Sequence, residues 1–159
     1  MSMDGTLREA GPADAVHIAA LVNRAFLAES WFKSTARTNA AQVQELLGKG
    51  VFLLLEEEAR LLACVYLEPR GDRVYLGMLS VEQDVQGRGI GRHMMQQAED
   101  FARRQALVGI DLRIVHLRQE LPPYYRKLGY VEVGTEPAPD FPGVKIPIHF
   151  VLMSKSLQA

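Results

Sequence analysis

The stretch Gln86-Gly87-Arg88-Gly89-Ile90-Gly91-Arg92 decides the reading of this chain. It follows a strand-like run, Val74 to Val81, and opens a helix-like run that reaches to about Ala106. Gly87, Gly89 and Gly91 carry no Cβ, so a ligand can pass close to the backbone there. A helix beginning at this point directs its first unpaired N–H groups, and the positive end of its dipole, at the same spot. That combination suits an anion such as a pyrophosphate. Arg88 and Arg92 add charge and forked donors around it. A phosphorylated ligand is therefore expected at residues 86–92.

Two familiar nucleotide sites do not fit. A dinucleotide fingerprint requires Gly-x-Gly-x-x-Gly tight against the first strand of a βαβ unit. Here the glycines fall at 87, 89 and 91, after three strand-like runs of longer length and two helices. Asp111 stands where a ribose-binding acid would be sought, but it is read as preceding its strand rather than ending it. A P-loop needs Gly-Lys-Ser/Thr, and the sequence has none.

Working outward, 159 residues are read as one domain, 1–159, long enough to bury a substantial core. The composition, 48% hydrophobic and 23% charged, is that of an ordinary globular protein. A net charge of -1 gives no electrostatic reason to expect nucleic acid or an anionic membrane as partner. No apolar run approaches the ~20 residues that span a bilayer, and Met1 to Ala10 lacks the apolar segment of a secretory signal. Cys64, the single cysteine, lies in the apolar run Leu61 to Leu67 and reads as a small buried hydrophobe. The expected compartment is the reducing cytoplasm. One cysteine and four scattered histidines offer no metal-ligand spacing, so no metal is expected.

The remaining elements follow from periodicity and breakers. Thr6 to Glu9 reads as a first strand, and Pro12 suits the first turn of a helix carrying Ile18, Leu21, Val22, Ala25 and Phe26 at helical spacing. After a loop with Trp31 and Phe32, a second helix is predicted over Asn39 to Leu47, with Thr38 as N-cap. Val51 to Leu55 and Leu61 to Leu67 form a hairpin around the polar tip Glu56 to Arg60. Ile90, Met94, Ala98, Phe101 and Ala102 share one face of the helix after the glycine loop. Leu112 to Leu117 is a strand, Tyr124 to Leu128 a short helix after Pro122-Pro123, and Tyr130 to Val133 extends again. Gly134 to Pro147 is predicted to be a loop, and Ile148 to Met153 a final strand. The order is β-α-α-β-β-β-α-β-α-β-β, an α/β fold with a mixed central sheet flanked by helices.

Gln86-x-x-Gly89-x-Gly91 resembles the acyl-CoA signature, Gln/Arg-x-x-Gly-x-Gly/Ala, of the GNAT superfamily of N-acetyltransferases, and Leu79-Ser80-Val81-Glu82 resembles the strand leading into it. Tyr124-Tyr125-Arg126-Lys127-Leu128-Gly129-Tyr130 resembles the superfamily's late motif, aromatic-Tyr-x-Lys-x-Gly-aromatic. The element order also matches, so the resemblance covers nearly the whole chain. It implies a splayed sheet, with strand four parting from strand five, and acetyl transfer from acetyl-CoA to an amine by direct attack in a ternary complex.

The resemblance further implies roles for individual residues. Backbone N–H groups of Gly87, Arg88, Gly89, Gly91 and Arg92 would hold the pyrophosphate, with Gln86 opening the signature. The amide of Leu79 would polarise the thioester carbonyl, and Val81 would bond the pantetheine arm as an added strand would. Tyr125 would protonate the leaving thiolate. Tyr124, Leu128 and Tyr130 read as packing beneath the short helix. Where the superfamily often has asparagine, seven residues before its tyrosine, this chain has Arg118, so no role is carried over for that position.

The acceptor side stays open at this level. A general base is sought among Glu68, His116, Glu120, His149 or a water chain. Trp31 and Phe32 either line an acceptor pocket or close the core, and Glu56-Glu57-Glu58 reads as a solvated hairpin tip. The expected acceptor is a small-molecule amine, with a protein or peptide amine as the other possibility; a monomer and a homodimer are both compatible with the sequence. A non-catalytic CoA-binding sensor or interaction module on the same fold is the competing reading.

Overall fold

Residues 51–55 and 61–67 are nearly all apolar, and such runs form strands covered on both faces. In the computed structural model, which describes residues 5–139 and 142–157, they are the interior of the sheet. The strands are β1 (Thr6–Glu9), β2 (Val51–Glu57), β3 (Arg60–Arg70), β4 (Arg73–Val81), β5 (Gly109–Val115), β6 (Val131–Pro137) and β7 (His149–Ser156). The helices are α1 (Ala15–Ala25), α2 (Ala40–Leu47), α3 (Ile90–Arg104) and α4 (Leu121–Lys127). The sheet order is β1-β2-β3-β4-β5-β7-β6. Neighbours run antiparallel except β4 and β5, which are parallel.

Alternation along the strands divides the core into two clusters. Leu53, Leu55, Val65 and Leu67 face α3, whose residues Ile90, Met94, Ala98, Phe101 and Ala102 are all buried, as their spacing predicts. Phe52, Leu54, Cys64 and Tyr66 face Ile18, Leu21 and Val22 of α1 and Val43 of α2. None of the described helices is long and apolar enough to cross a membrane.

Strand β4 changes phase halfway along. Val74 and Leu76 belong to the α3 side, but after Gly77 it is Leu79 and Val81 that pack there, while Met78 has joined the other cluster. The cause is a bulge: Cys64 pairs with Ser80 and Tyr66 with Gly77, so Met78 and Leu79 together oppose Val65. Met78 adopts φ 54°, a left-handed conformation that side chains rarely take. Strand β4 bends at this point. Its pairing with β5 is confined to Val74–Ile110 and Tyr75–Asp111, and beyond Tyr75 the two strands part. The splayed sheet implied by the sequence resemblance is present.

Charge pins the closed end of this wedge. Arg73 on β4 donates from Nε and Nη2 to the Asp111 carboxylate on β5, at 2.8 and 2.9 Å. Ser154 on β7 donates to the same carboxylate at 2.5 Å. Asp111 thus lies inside β5 rather than before it, and its role is to tie three strands together.

Several boundaries differ from the sequence reading. The N-cap of α2 is Asn39, whose side chain accepts from the Gln42 amide at 2.9 Å; Thr38 is held instead by Asn23 and Gln42. Strand β5 starts at Gly109 and ends at Val115, short of Leu117. Helix α4 starts at Leu121, because Pro122 and Pro123 fit its first turn, where no amide donor is needed. Strand β6 runs four residues past Val133 to Pro137, which an edge strand tolerates. Of the predicted loop from Gly134 to Pro147, residues 140 and 141 lie outside the described residues, as do residues 1–4 of the N-terminal segment.

Two measurements test this account. Burial raises the Asp111 pKa, but hydrogen bonds from Arg73 and Ser154 outweigh it and hold the carboxyl below its usual range. Such a group stabilises the fold above its unfolded pKa, ~3.9, and loses that contribution as pH falls through the folded value. Wild type should therefore exceed Asp111→Asn in stability at neutral pH, with the gap closing below about pH 4 in urea titrations. Cys64 is fully buried, which pushes its thiol up to about 12. An aromatic disulfide reagent should find it unreactive in native protein and reactive once the protein is unfolded.

Candidate active site

The parting of β4 and β5 opens a cavity of about 530 Å³ that passes between the two faces of the sheet. Leu79, Val81, Gln86, Gly91, Tyr124 and Tyr125 line it from β4, α3 and α4. Phe26, Glu29, Phe32 and Arg37 line it from the segment between α1 and α2. Glu68, Tyr75, Arg113 and Arg118 complete the wall from β3, β4, β5 and the turn after β5.

The orientation of the β4 backbone follows from its register. The Glu82 amide donates to the Leu62 carbonyl at 2.8 Å, which makes Cys64–Ser80 the next pair bonded to β3. Val81 lies between them and turns its N–H and C=O toward the gap, and its carbonyl accepts from Gln86 Nε2 at 3.4 Å. Leu79, two residues back, lines the same cavity. Beyond Tyr75 this edge of β4 has left β5 and borders the cavity.

Gln86 and Gly91 line the cavity, and the loop between them begins α3. Gly87 and Gly89 have φ of 87° and 77°, and Gly89 is the N-cap of the helix. An L side chain at either position would be strained. Gly91 serves a different purpose: a Cβ there would come within 2.9 Å of the Tyr124 hydroxyl. Gly87, Arg88, Gly89 and Arg92 do not line the cavity itself. The Arg88 side chain is turned to Glu57 at the tip of the β2–β3 hairpin, 3.2 Å away, and Glu56 is bound to Arg8. Glu56 and Glu57 are thus partnered and not merely solvated.

Tyr125 is 8% exposed and stands edge-to-face against Tyr124 and Tyr130, with ring centroids 5.1 and 6.0 Å apart. Its hydroxyl has no hydrogen bond to the described residues, yet no sealed polar side-chain atom among them lacks a partner. The hydroxyl therefore opens into the cavity. Burial, reinforced by Tyr124, pushes its pKa upward, so the phenol is protonated at neutral pH. Tyr124 also lines the cavity, which the reading of it as packing missed; the third glycine, Gly91, was the available signal for a close neighbour.

Of the four residues considered as base, only Glu68 lines the cavity. It accepts from the Tyr66 hydroxyl at 2.7 Å and from Arg70 at 2.6 Å. Burial would raise its pKa, but these two bonds prevail and hold it low. His116 and His149 stack on one another at 4.0 Å off the cavity, and the His149 amide donates to His116 Nδ1. Glu120 also lies off the cavity, bound to Arg118 at 2.9 Å. Arg118, at the position where the resemblance carried no role, is held on the wall by the buried Glu29, 3.1 Å away. Phe32 is fully buried and lines the cavity, whereas Trp31 is 58% exposed and does not.

An edge of β4 and a protonated phenol thus share one cleft, and a glycine loop opens a helix beside it. The arrangement can seat an extended, amide-containing chain, hold an anion at one end and give a proton midway. Among the described residues no three groups are placed to hold a metal ion.

The fold is similar to that of several solved acetyltransferases. The ribosomal-protein-S18-alanine N-acetyltransferase from Escherichia coli superposes with a TM-score of 0.80 at 15% identity, covering 98% of this chain and 95% of that one. Ard1 from Thermoplasma volcanium gives 0.82 at 15% identity, over 99% and 100%. The IAA acetyltransferase from Bacillus cereus gives 0.72 at 12% identity, over 96% and 99%. No curated protein matches the chain by sequence. The family model of the acetyltransferase (GNAT) domain does match, over residues 48–132, from the end of α2 through the glycine loop and α4 to the start of β6. That is more than half of the sequence, and the chain belongs to the GNAT acetyltransferase family.

Proposed function

We propose that the protein transfers an acetyl group from acetyl-CoA to the primary amine of a small molecule, with both substrates bound at once. The observation that carries this reading is the gap beyond Tyr75, where Leu79 and Val81 of β4 line one cavity with Tyr125. Bound there, acetyl-CoA would supply an acetyl group already activated as a thioester.

The chain's own residues then have separable tasks. The backbone of residues 87–92, at the N-terminus of α3, holds the pyrophosphate, which is why positive-φ glycines matter there more than the arginine side chains. The Val81 amide and carbonyl pair with the pantetheine arm as a neighbouring strand would. The Leu79 amide donates to the thioester oxygen as negative charge gathers on it, worth roughly 3–4 kcal/mol in a dry site. The Tyr125 hydroxyl gives its proton to the departing sulfur. Burial raises the pKa of a thiol as it does that of a phenol, so the two stay matched in the cleft.

The amine enters from the α1–α2 side and must be neutral to attack. Glu68 is already engaged by the Tyr66 hydroxyl and Arg70, and no histidine among the described residues lines the cavity. The proton is therefore lost to cavity water, and the rate follows the neutral fraction of the amine. The Escherichia coli neighbour is named for a ribosomal-protein alanine acceptor, and a shared fold does not choose the acceptor. A cavity of about 530 Å³, with Phe32 and Arg118 in its wall, favours a small one.

Acetyl-CoA at 100-fold over its Kd should stabilise the protein by about 2.7 kcal/mol, raising Tm by roughly 5–10 °C, with ATP and NADH inactive. Gly89→Ala should abolish most of that shift. Tyr125→Phe should keep the shift but lower kcat on the order of 10²-fold; unchanged kcat would remove Tyr125 from the mechanism. The value of kcat/KM should climb with pH toward the amine's own pKa, and His116→Ala or His149→Ala should leave that profile in place.

A further inference from the structure

Among the described residues, the arginines that line the cavity differ in how they are partnered. Arg70 is paired with Glu68 at 2.6 Å, Arg118 with Glu29 at 3.1 Å, and Arg113 with Glu136 at 3.5 Å. Arg37 is different. Among the described residues it has no hydrogen bond and no carboxylate within ion-pair reach; its guanidinium lies over the Phe26 ring, 5.4 Å from the centroid. Its nitrogens are not sealed off, and it lines the cavity with Tyr75 and Arg113. Burial disfavours its charge, and Tyr75 and Glu29 only partly offset that. An arginine stays charged regardless, so a desolvated guanidinium aimed into a cavity is costly unless an anion meets it.

That anion is not the CoA pyrophosphate. Phe26 packs with the cluster beneath α1 and α2, whereas the glycine loop and α3 cover the opposite face of the sheet. Arg37 therefore faces the acceptor side. A guanidinium's parallel N–H donors match a planar carboxylate in bidentate fashion. Resting on the acetyl-transfer reading above, we infer that the acceptor is a small amino acid-like amine whose carboxylate is bound by Arg37. The carboxylate anchors one end of the molecule, and the amine is left to reach the gap where Leu79 and Tyr125 stand.

The test compares acceptors that differ in one group. Release of free thiol from acetyl-CoA is followed with the common α-amino acids, the amines that lack only their carboxylate, the matching aminoalkylphosphonates, and an alanine-initiated peptide amide. At least one amino acid should show kcat/KM about 10- to 100-fold above its decarboxylated twin, the difference lying mainly in KM. Arg37→Ala should lower kcat/KM for the amino acid by a similar factor while costing the amine far less, and Arg37→Lys should restore part of it. The inference is overturned if the amine, phosphonate or peptide amide is preferred, if no amino acid is accepted, or if Arg37→Ala affects acid and amine alike. The acetyl-CoA thermal shift separates the two levels. If wild type gives no shift, the acetyl-transfer reading fails with it; if the shift is intact, in wild type and in Arg37→Ala, a negative panel removes only the carboxylate.

Discussion

Two residues of β4, Met78 and Leu79, stand opposite one residue of β3, Val65, and the site depends on that mismatch. A regular β4 would continue alongside β5, satisfy its amides there and leave no cavity. The extra residue bends the strand, reverses which side chains face α3, and frees the outward backbone of Leu79 and Val81. The positive φ of Met78 costs something on the order of 1–3 kcal/mol. The flanking apolar strands are buried on both faces, so the surrounding packing can hold the strained residue in place.

A bend of this kind needs a fixed point. Arg73, Asp111 and Ser154 supply it by tying β4, β5 and β7 together just before the strands diverge. Parallel pairing ends at Tyr75, and the Tyr75 ring continues as part of the cavity wall between the guanidinium groups of Arg70 and Arg113. On the proposed reading the cleft is polarised along its length: helix N-terminus and glycine loop at the donor end, the unbalanced Arg37 at the acceptor end. The reacting atoms would meet between them, beside Leu79 and Tyr125.

Much of this was legible in the sequence, and for identifiable reasons. The order of elements followed from periodicity, and the face of α3 was read correctly because its spacing is helical over five buried positions. The glycine loop and the Tyr124–Tyr130 segment could be located because backbone conformation and close approach restrict residue type there. The bulge was also written in the chain: apolar residues in β4 alternate as Val74 and Leu76, then as Leu79 and Val81, so the phase slips by one at Gly77–Met78. That slip went unread because Leu79 and Val81 alternate correctly between themselves. Arg37 and Glu29 were not legible at all. They sit in the irregular segment between α1 and α2, where no periodicity says which side chains turn inward, and the partner of Glu29, Arg118, lies far along the chain. Trp31 and Phe32 show the same limit: adjacent aromatics, one exposed and one fully buried.

The central claim is that the inward edge of β4 is an unfilled strand position that a thioester ligand completes. Residue-resolved amide hydrogen exchange, with and without saturating acetyl-CoA, tests it most directly. The account predicts that the Leu79 and Val81 amides exchange readily in the free protein, well above Ser80, and become strongly protected when acetyl-CoA is added, together with the amides of residues 87–92. Protection already present in the free protein, or ligand-induced protection confined to other strands, would contradict it.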